Sequence, residues 1–480
     1  MKPAAPFRCF ASFLLPLLTL SLLRAAEPPA PVEPTARPPN IIFIMADDLG
    51  YGDLGCYGQT KIKTPHLDQL AVDGIRFTSA YAGAPVCAPA RCVLLTGRHT
   101  GHGRVRGNLP SDRPRNPLAV ALQPDDLTLA QVLKPAGYTS AAIGKWGLGN
   151  PGPEASGLPL RQGFDYFFGY VNQTHAHNSY PSFLWRNEEK VPLPNIVPDE
   201  GPLGTGVSSN MAVHSQDLFI AEALKFIRAE RARPFFLYFA LTLPHANDES
   251  EPLGLEIPSL GEYADRDWPE AAKRYAAMVT RIDTDVGRIL ALLDELHLAD
   301  DTIVVFTSDN GPHHEGGNDP AFFTSAGPFR GLKRDLYEGG IREPMIVRWP
   351  GHAPAGRTDD TPWYFADVLP TFADLAGQPT PPSDGVSVRP LWEGRPQAAL
   401  ADRPLYWEFY EGGFHQAARR GPWKIVQPKA GAPFELYDLR TDPGETHNLA
   451  AAQPAVLASL EADLRASHAD SPAWPVHPPK

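Results

Sequence analysis

Three stretches constrain the architecture of this 480-residue chain. They are "NIIFIMADDLG" from Asn40, "PFFLYFALTLPH" from Pro234 and "TIVVFTSDNG" from Thr302. Each is a continuous apolar run that breaks abruptly into acidic, amide or histidine residues. A run that is apolar at every position has both faces buried, as in a strand of a parallel sheet covered by helices on both sides. In such sheets ligands collect beyond the carboxyl ends of the strands. The polar residues that end these runs are therefore the first candidates for a site.

The remaining chain supports this reading. "TPHLDQLAVDGIRF" is predicted as a helix, with Thr64 as its cap and Pro65 in its first turn. "DDLTLAQVLKPAGY" is a second helix and "TSAAIGKW" the strand after it. "AKRYAAMVTRIDTDVGRILALLDELHL" is a long amphipathic helix, and "EPMIVRWPG" is one more strand. Strands alternating with helices predict an α/β fold with a large, mainly parallel sheet sandwiched by helices. From about residue 400 the texture changes. "LYWEFYEGGFHQAARRGPWKIVQ" and "FELYDLRTDP" read as short antiparallel strands, and "QPAVLASLEADLRASHA" as a closing helix. The expected division is residues 40–399 as a catalytic domain and 400–480 as a small α+β subdomain.

Residues 1–26 read as a secretory signal peptide: Lys2 and Arg8, then a short apolar stretch interrupted by Pro16. Residues 27–39 are a Pro-rich tether. No other segment reads as a membrane span, and export to the periplasm or the exterior is expected. The formal charge of −12 and the absence of a Lys/Arg run exclude nucleic acid as an expected partner. Asn172-Gln-Thr is a glycosylation pattern. Once the leader is removed, Cys56, Cys87 and Cys92 remain, an odd number for an exported protein. In "VCAPARCVLLTG", Cys87 reads as a packed thiol, half of a disulfide, a metal ligand or a nucleophile.

Asp47 and Asp48 follow the first apolar run, and Asp309 and Asn310 follow the third. Either pair alone reads as a cap or a turn. Together, each directly after an apolar strand, they read as one oxygen-rich site for a hard cation such as Ca2+ or Mg2+. Arg91 lies one helical turn after Cys87, if a helix starts there. Lys145 and His245 end strands, and Lys333 lies in "FRGLKRDLYEGGIREP".

At these residues the chain resembles the formylglycine-dependent type I sulfatases of the alkaline phosphatase superfamily. "CAPAR" matches their C-x-P-x-R signature. "NIIFIMADDLGYGDLG", "LLTGRHTGH", "GKWGLG", "TSDNG" and "RGLKRDLYEGGIREP" are similar to sulfatase segments and stand in the same order. The resemblance implies an alkaline-phosphatase-like fold and oxidation of Cys87 to formylglycine by a maturation enzyme. The hydrated aldehyde would attack sulfur with one hydroxyl and expel sulfate by collapse of the other. Asp47, Asp48, Asp309 and Asn310, with a formylglycine oxygen from position 87, would hold the cation. Arg91 would stabilise the hydrated group, Lys145 and Lys333 would bind sulfate oxygens, and His245 would protonate the leaving alcohol. The substrate would be a sulfated sugar or an aryl sulfate.

Two departures stand out. Ala90 replaces the serine of the fuller signature. Many arylsulfatases read G-K-W-H-L-G, where the histidine contacts formylglycine; here that position is Gly147. His102 is a candidate substitute, with a structural role as its alternative. His177, His313 and His314 are candidates for substrate contact. With Cys87 modified, Cys56 and Cys92 remain either as a pair or as free buried thiols. Two other functions stay open. One is a phosphonate monoester or phosphodiester hydrolase of the same superfamily, although those usually place histidine where Asn310 stands. The other is a catalytically silent glycan-binding homologue, which would have lost some of these residues.

Overall fold

The structure, a computed structural model, describes residue 1 and residues 4–6, 37–108, 120–150, 157–201, 203–250 and 252–476. The predicted leader and most of the tether lie outside the described residues. Pro38–Lys480 forms one compact unit, so the boundary expected near residue 400 separates two sheets within one body.

Among the described residues eleven strands form one sheet. They are β1 (Asn40–Ala46), β2 (Ile75–Tyr81), β3 (Thr139–Lys145), β4 (Tyr166–Tyr170), β5 (Phe183–Arg186), β6 (Glu189–Pro192), β7 (Phe235–Ala240), β8 (Thr302–Ser308), β9 (Arg342–Arg348), β10 (Arg357–Asp359) and β11 (Trp363–Tyr364). Their order is β10-β2-β9-β8-β1-β7-β3-β4-β5-β6, with β11 also on β2. The centre, β8-β1-β7-β3-β4, is parallel throughout. β9 runs antiparallel to both of its neighbours, and β5 and β6 form an antiparallel edge.

Burial on both faces explains the unbroken apolar run of β1. Ile41, Phe43 and Met45 enter one core with the helices Cys87–Thr96 and Val368–Leu375. Ile42, Ile44 and Ala46 enter the other with Ser215–Glu230 and Glu270–Glu295. A period of two on a strand sends neighbours to opposite faces, so from Ile41 to Ala46 both faces of β1 are apolar.

The helix predicted over "TPHLDQLAVDGIRF" stops early, at Val72, and Ile75 starts β2. Gly74 forces the change of direction: a Cβ there would lie 2.3 Å from the Val347 carbonyl oxygen. The β-branched and aromatic residues after it then suit a strand. Thr64 makes no side-chain cap bond and instead accepts from the Gly55 amide at 2.8 Å. The second helix is also shorter than expected, Leu129–Leu133 followed by one 3-10 turn, because Pro135 cannot continue the ladder.

The small antiparallel sheet comprises β12 (Leu405–Phe409), β13 (His415–Arg420), β14 (Trp423–Gln427) and β15 (Glu435–Asp438). Alternation again divides its residues. Trp407, Ala417, Val426 and Tyr437 join the core of the large sheet, and Tyr406, Ala418, Ile425 and Leu436 pack against the helix Pro454–Ser467. A buried charge cluster ties the two sheets together. Lys424 Nζ lies 2.9 Å from both Glu338 and Glu445, and the Tyr81 hydroxyl donates to Glu338 at 2.6 Å. Removing one partner from such a cluster leaves uncompensated buried charge, at a cost of about 3–5 kcal/mol. Lys424→Met is therefore expected to lower the denaturant midpoint clearly. Adding Glu445→Gln, whose carboxylate pairs with Lys424, should recover part of the loss, while Glu338 keeps Arg342 at 3.0 Å. An unchanged midpoint for Lys424→Met would show that the cluster does not hold the sheets.

Candidate active site

The parallel register of β1 and β8 pairs Ala46 with Ser308, so the residues after both strands leave the sheet side by side. Asp48 takes a left-handed backbone, φ +66°, uncommon for a residue with a side chain. The Asp309 carboxylate accepts its amide at 3.1 Å and holds the turn. The Asn310 side chain donates to Asp48 at 2.6 Å and to the Gly311 carbonyl at 2.9 Å.

Cys87 begins the helix Cys87–Thr96, as the spacing to Arg91 required. Its Sγ lies 3.2 Å from Asp47 and 4.0 Å from Asp48. One turn on, the Arg91 guanidinium donates to Asp309 at 2.7 and 3.1 Å and to the Lys145 carbonyl at 2.7 Å. Lys145 Nζ sits 2.6 Å from Asp47. Lys333 Nζ sits 2.8 Å from Asp48, 2.7 Å from Glu315 and 3.3 Å from His245 Nε2. His245 Nδ1 lies 2.5 Å from the Ala246 carbonyl. A carbonyl only accepts, so Nδ1 carries the proton and Nε2 turns a lone pair toward Lys333.

The electrostatics follow from burial. Burial alone would raise the Asp47 and Asp48 carboxyls, but Lys145 beside the first and Lys333 beside the second hold both well below the usual range. Asp309 is pushed up to about 7 by burial and by Asp47 and Asp48, despite Arg91. Burial and the same carboxylates keep the Cys87 thiol protonated, so an unmodified Cys87 is a poor nucleophile. Asn310 Oδ1 is buried and has no hydrogen-bond partner among the described residues. Oxygens of Asp47, Asp48 and Asp309 and the sulfur of Cys87 fall within 4.8 Å of one another. Three carboxylates and an orphaned amide oxygen fit a hard cation.

The other sequence candidates divide. His177 stacks on His245 with centroids 5.1 Å apart, and its Nδ1 lies 3.3 Å from Glu249. His313 is buried, also stacks on His245 at 6.0 Å, and pairs through Nε2 with the Pro244 carbonyl at 3.1 Å. His102 makes its contacts elsewhere: Nδ1 lies 2.9 Å from Asp384, and its ring stacks on His99 at 4.4 Å. Those contacts give it no place around Cys87. His314 is exposed and lines an open depression with Asn318 and Leu332. Cys56 and Cys92 are both unpaired thiols. Asn172 is buried, its carbonyl oxygen capping the His175 amide and its NH2 donating to Leu203, so this side chain does not face solvent for glycosylation.

Sequence reasoning missed Glu315, which also pairs with Arg334 at 2.5 Å. It stands in "DNGPHHEGG", which continues the third apolar run, where a carboxylate six residues past Asp309 was an available signal.

This fold and cluster define an alkaline-phosphatase-like hydrolase for an anionic ester. The sulfatase family model matches residues 39–378, and a model described as "N-sulphoglucosamine sulphohydrolase, C-terminal" matches residues 330–470. The chain is 35% identical to human arylsulfatase A over 477 residues, covering 89% of this chain and 87% of that protein. It is 35% identical to N-acetylgalactosamine-6-sulfatase of Sus scrofa over 407 residues, covering 81% and 71%. Its fold matches the crystal structure of Ps i-CgsB in complex with k-i-k-neocarrahexaose, with a TM-score of 0.73 and 26% identity over 92% of this chain and 95% of that one. The chain belongs to the sulfatase family and is a sulfuric ester hydrolase.

Burial and then Lys333 hold the His245 imidazole well below its ordinary value of 6.5. A depressed histidine pKa means that below 6.5 unfolding takes up a proton, so stability falls progressively as pH drops from 6.5 toward the lower folded value. Nitrogen NMR of the resting protein at pH 6 should show His245 neutral with the proton on Nδ1. An imidazolium signal there would contradict the site electrostatics.

Proposed function

We propose that the protein removes sulfate from sulfated carbohydrates, with Cys87 matured to formylglycine and a Ca2+ ion, or Mg2+ in its place, held by Asp47, Asp48, Asp309, Asn310 and the residue at position 87. The observation that carries this reading is the convergence of a buried, protonated Cys87 with three carboxylates and three cations. When bound, the metal supplies charge that polarises the ester and acidifies a hydroxyl at position 87. Oxidised and hydrated, residue 87 supplies one oxygen for attack on sulfur and a second whose collapse expels sulfate.

The chain's own residues do the rest. Arg91 orients Asp309 and offsets part of the cost of its burial, and Lys145 keeps Asp47 ionised and oriented. Lys145 and Lys333 place two ammonium groups at one end of the site for the sulfate oxygens. His245 Nε2 accepts from the Lys333 ammonium at 3.3 Å; to serve the departing alcohol it takes a proton from that ammonium and releases it to the alcohol oxygen, leaving Lys333 neutral. Glu315 anchors Lys333 from the outer side. Around the mouth, His177, Asp248 and Glu249 offer hydrogen-bonding groups suited to sugar hydroxyls. The sugar assignment is supported by the relatives' names and the oligosaccharide complex above. Cys87 is 1% exposed, so the maturation enzyme must act before the chain folds. That order fits export of the newly made chain to the periplasm or exterior. Among the described residues no helix is long and apolar enough to cross a membrane.

The test is sulfate release from a panel of sulfated sugars and an activated aryl sulfate. His245→Ala should lose about 100-fold or more on sugar esters, whose alkoxides need a proton, and far less on the activated phenol. Equal losses on both would remove His245 from the proton-donor role. Turnover of phosphonate monoesters or phosphodiesters but no sulfate ester, with zinc or manganese bound, would favour the other hydrolase class.

A further inference from the structure

The open depression beside His314 has a volume of about 630 Å3, and its walls include Asn318, Thr324, Gly327, Phe329 and Leu332. His314 and Leu332 are the chain neighbours of Glu315 and Lys333, which pair at 2.7 Å in the site, so the depression begins at the site's edge. Thr324 and Gly327 also line a second depression, of about 240 Å3, whose walls include Lys61 and Phe322. The two share a wall and form one groove leading away from Lys333.

Two segments build this groove. Gln59 Nε2 donates to the Gly52 and Phe323 carbonyls at 3.0 Å each, and the Gly52 amide donates to the Ser325 carbonyl at 2.7 Å. A Cβ at Gly52 would lie 2.4 Å from the Thr324 carbonyl oxygen, so glycine lets the segments close on each other. Thr324, shared by both depressions, has a left-handed backbone, φ +54°, an outlier for a β-branched residue.

The lining identifies the ligand. Lys61 is exposed; its Nζ donates to the Phe322 carbonyl at 2.5 Å and lies 4.2 Å from the centroid of the Phe322 ring. An ammonium has three donors. The carbonyl takes one, and among the described residues no carboxylate pairs with Lys61. Asn318 Oδ1 is buried without a hydrogen-bond partner, while its NH2 donates to the His313 carbonyl at 2.7 Å. Asp319, the one carboxylate in the lining, accepts the Ala321 amide at 3.0 Å. A largely apolar groove with a few polar groups and a cation at its far end suits a sugar chain that carries an anion some way from the reacting sulfate.

We propose that this groove is a docking site for a sulfated glycan chain. The sugar whose sulfate is cut occupies the site, the next sugar residues run past His314 and Thr324, and a second sulfate on the chain pairs with Lys61. The inference rests on the sulfate-ester reading above and makes the substrate an oligomer rather than a single sugar or an aryl sulfate.

The test uses the full-length protein, matured for turnover and as Cys87→Ala for calorimetric titration. The probes are sulfated hexasaccharides from chondroitin 6-sulfate, heparin and iota-carrageenan, each set against its own monosaccharide sulfate. At least one hexasaccharide should bind about 10-fold or more tightly than its monosaccharide, with added salt narrowing the difference. Lys61→Gln should remove about 10-fold of the hexasaccharide affinity, as expected for a charge-assisted hydrogen bond, and leave the monosaccharide unchanged. Lys61→Glu should lose more, because it sets a carboxylate against the anion. Unchanged hexasaccharide affinity in Lys61→Gln, or no hexasaccharide bound more tightly than its monosaccharide, would overturn the inference and leave the sulfatase reading standing. A concentration-dependent dimer that Phe322→Ala abolishes would assign the groove to a second copy of the chain and also overturn it. A matured wild type that releases no sulfate from any ester would overturn the sulfatase reading instead. Titration of Cys87→Ala would then still decide the groove: hexasaccharide binding weakened by Lys61→Gln supports it, and unchanged binding refutes it.

Discussion

The parallel pairing of β1 with β8 is the constraint on which the site depends. It sets Ala46 opposite Ser308, and the two acidic turns that follow are thereby forced into contact. Asp48 then sits in a left-handed conformation held by Asp309, and Asn310 closes the turn from the other side. A left-handed backbone at a non-glycine residue stores about 1–3 kcal/mol, tolerated where the surroundings over-determine it. A one-residue slip of β1 against β8 would turn every side chain of the strand to the wrong face and separate the carboxylates.

The buried charges explain why so much of the molecule serves one small volume. Each carboxylate has a cation from a different element: Lys145 from the end of β3, Arg91 from the helix begun by Cys87, and Lys333 from the segment before β9. Isolated charges of this kind are expensive in a protein interior, and pairing with good hydrogen bonds offsets that cost. Lys424 does the same work for Glu338 and Glu445 where the small sheet meets the large one. In both places the apolar layers supply most of the stability, while the ionic contacts set position.

The central strands and the acidic ends were legible in sequence because burial on both faces leaves an unmistakable run of apolar residues. The cluster of Asp47, Asp48, Cys87, Arg91, Lys145, His245, Asp309, Asn310 and Lys333 could be read because each stands at a strand end, at a helix start or in a family motif. The edge strands β5 and β6 could not, since half-exposed edges carry mixed residues such as "EKVP". Helix ends were misplaced where tertiary contact decided them, as at Gly74 against Val347. His102 was left between a catalytic and a structural role because sequence proximity to the signature says nothing about where a loop turns its side chain, and its contacts are to Asp384 and His99.

The central claim is that the buried residue at position 87 works as an oxidised aldehyde within this charge cluster, not as a thiol. Its most direct measurement is mass spectrometry of the peptide spanning Cys87, on preparations matured to different extents, set against their turnover of a sulfate ester. The account predicts that turnover rises in proportion to the aldehyde fraction and vanishes when only thiol is present. Full turnover by a preparation whose Cys87 is entirely thiol would contradict it.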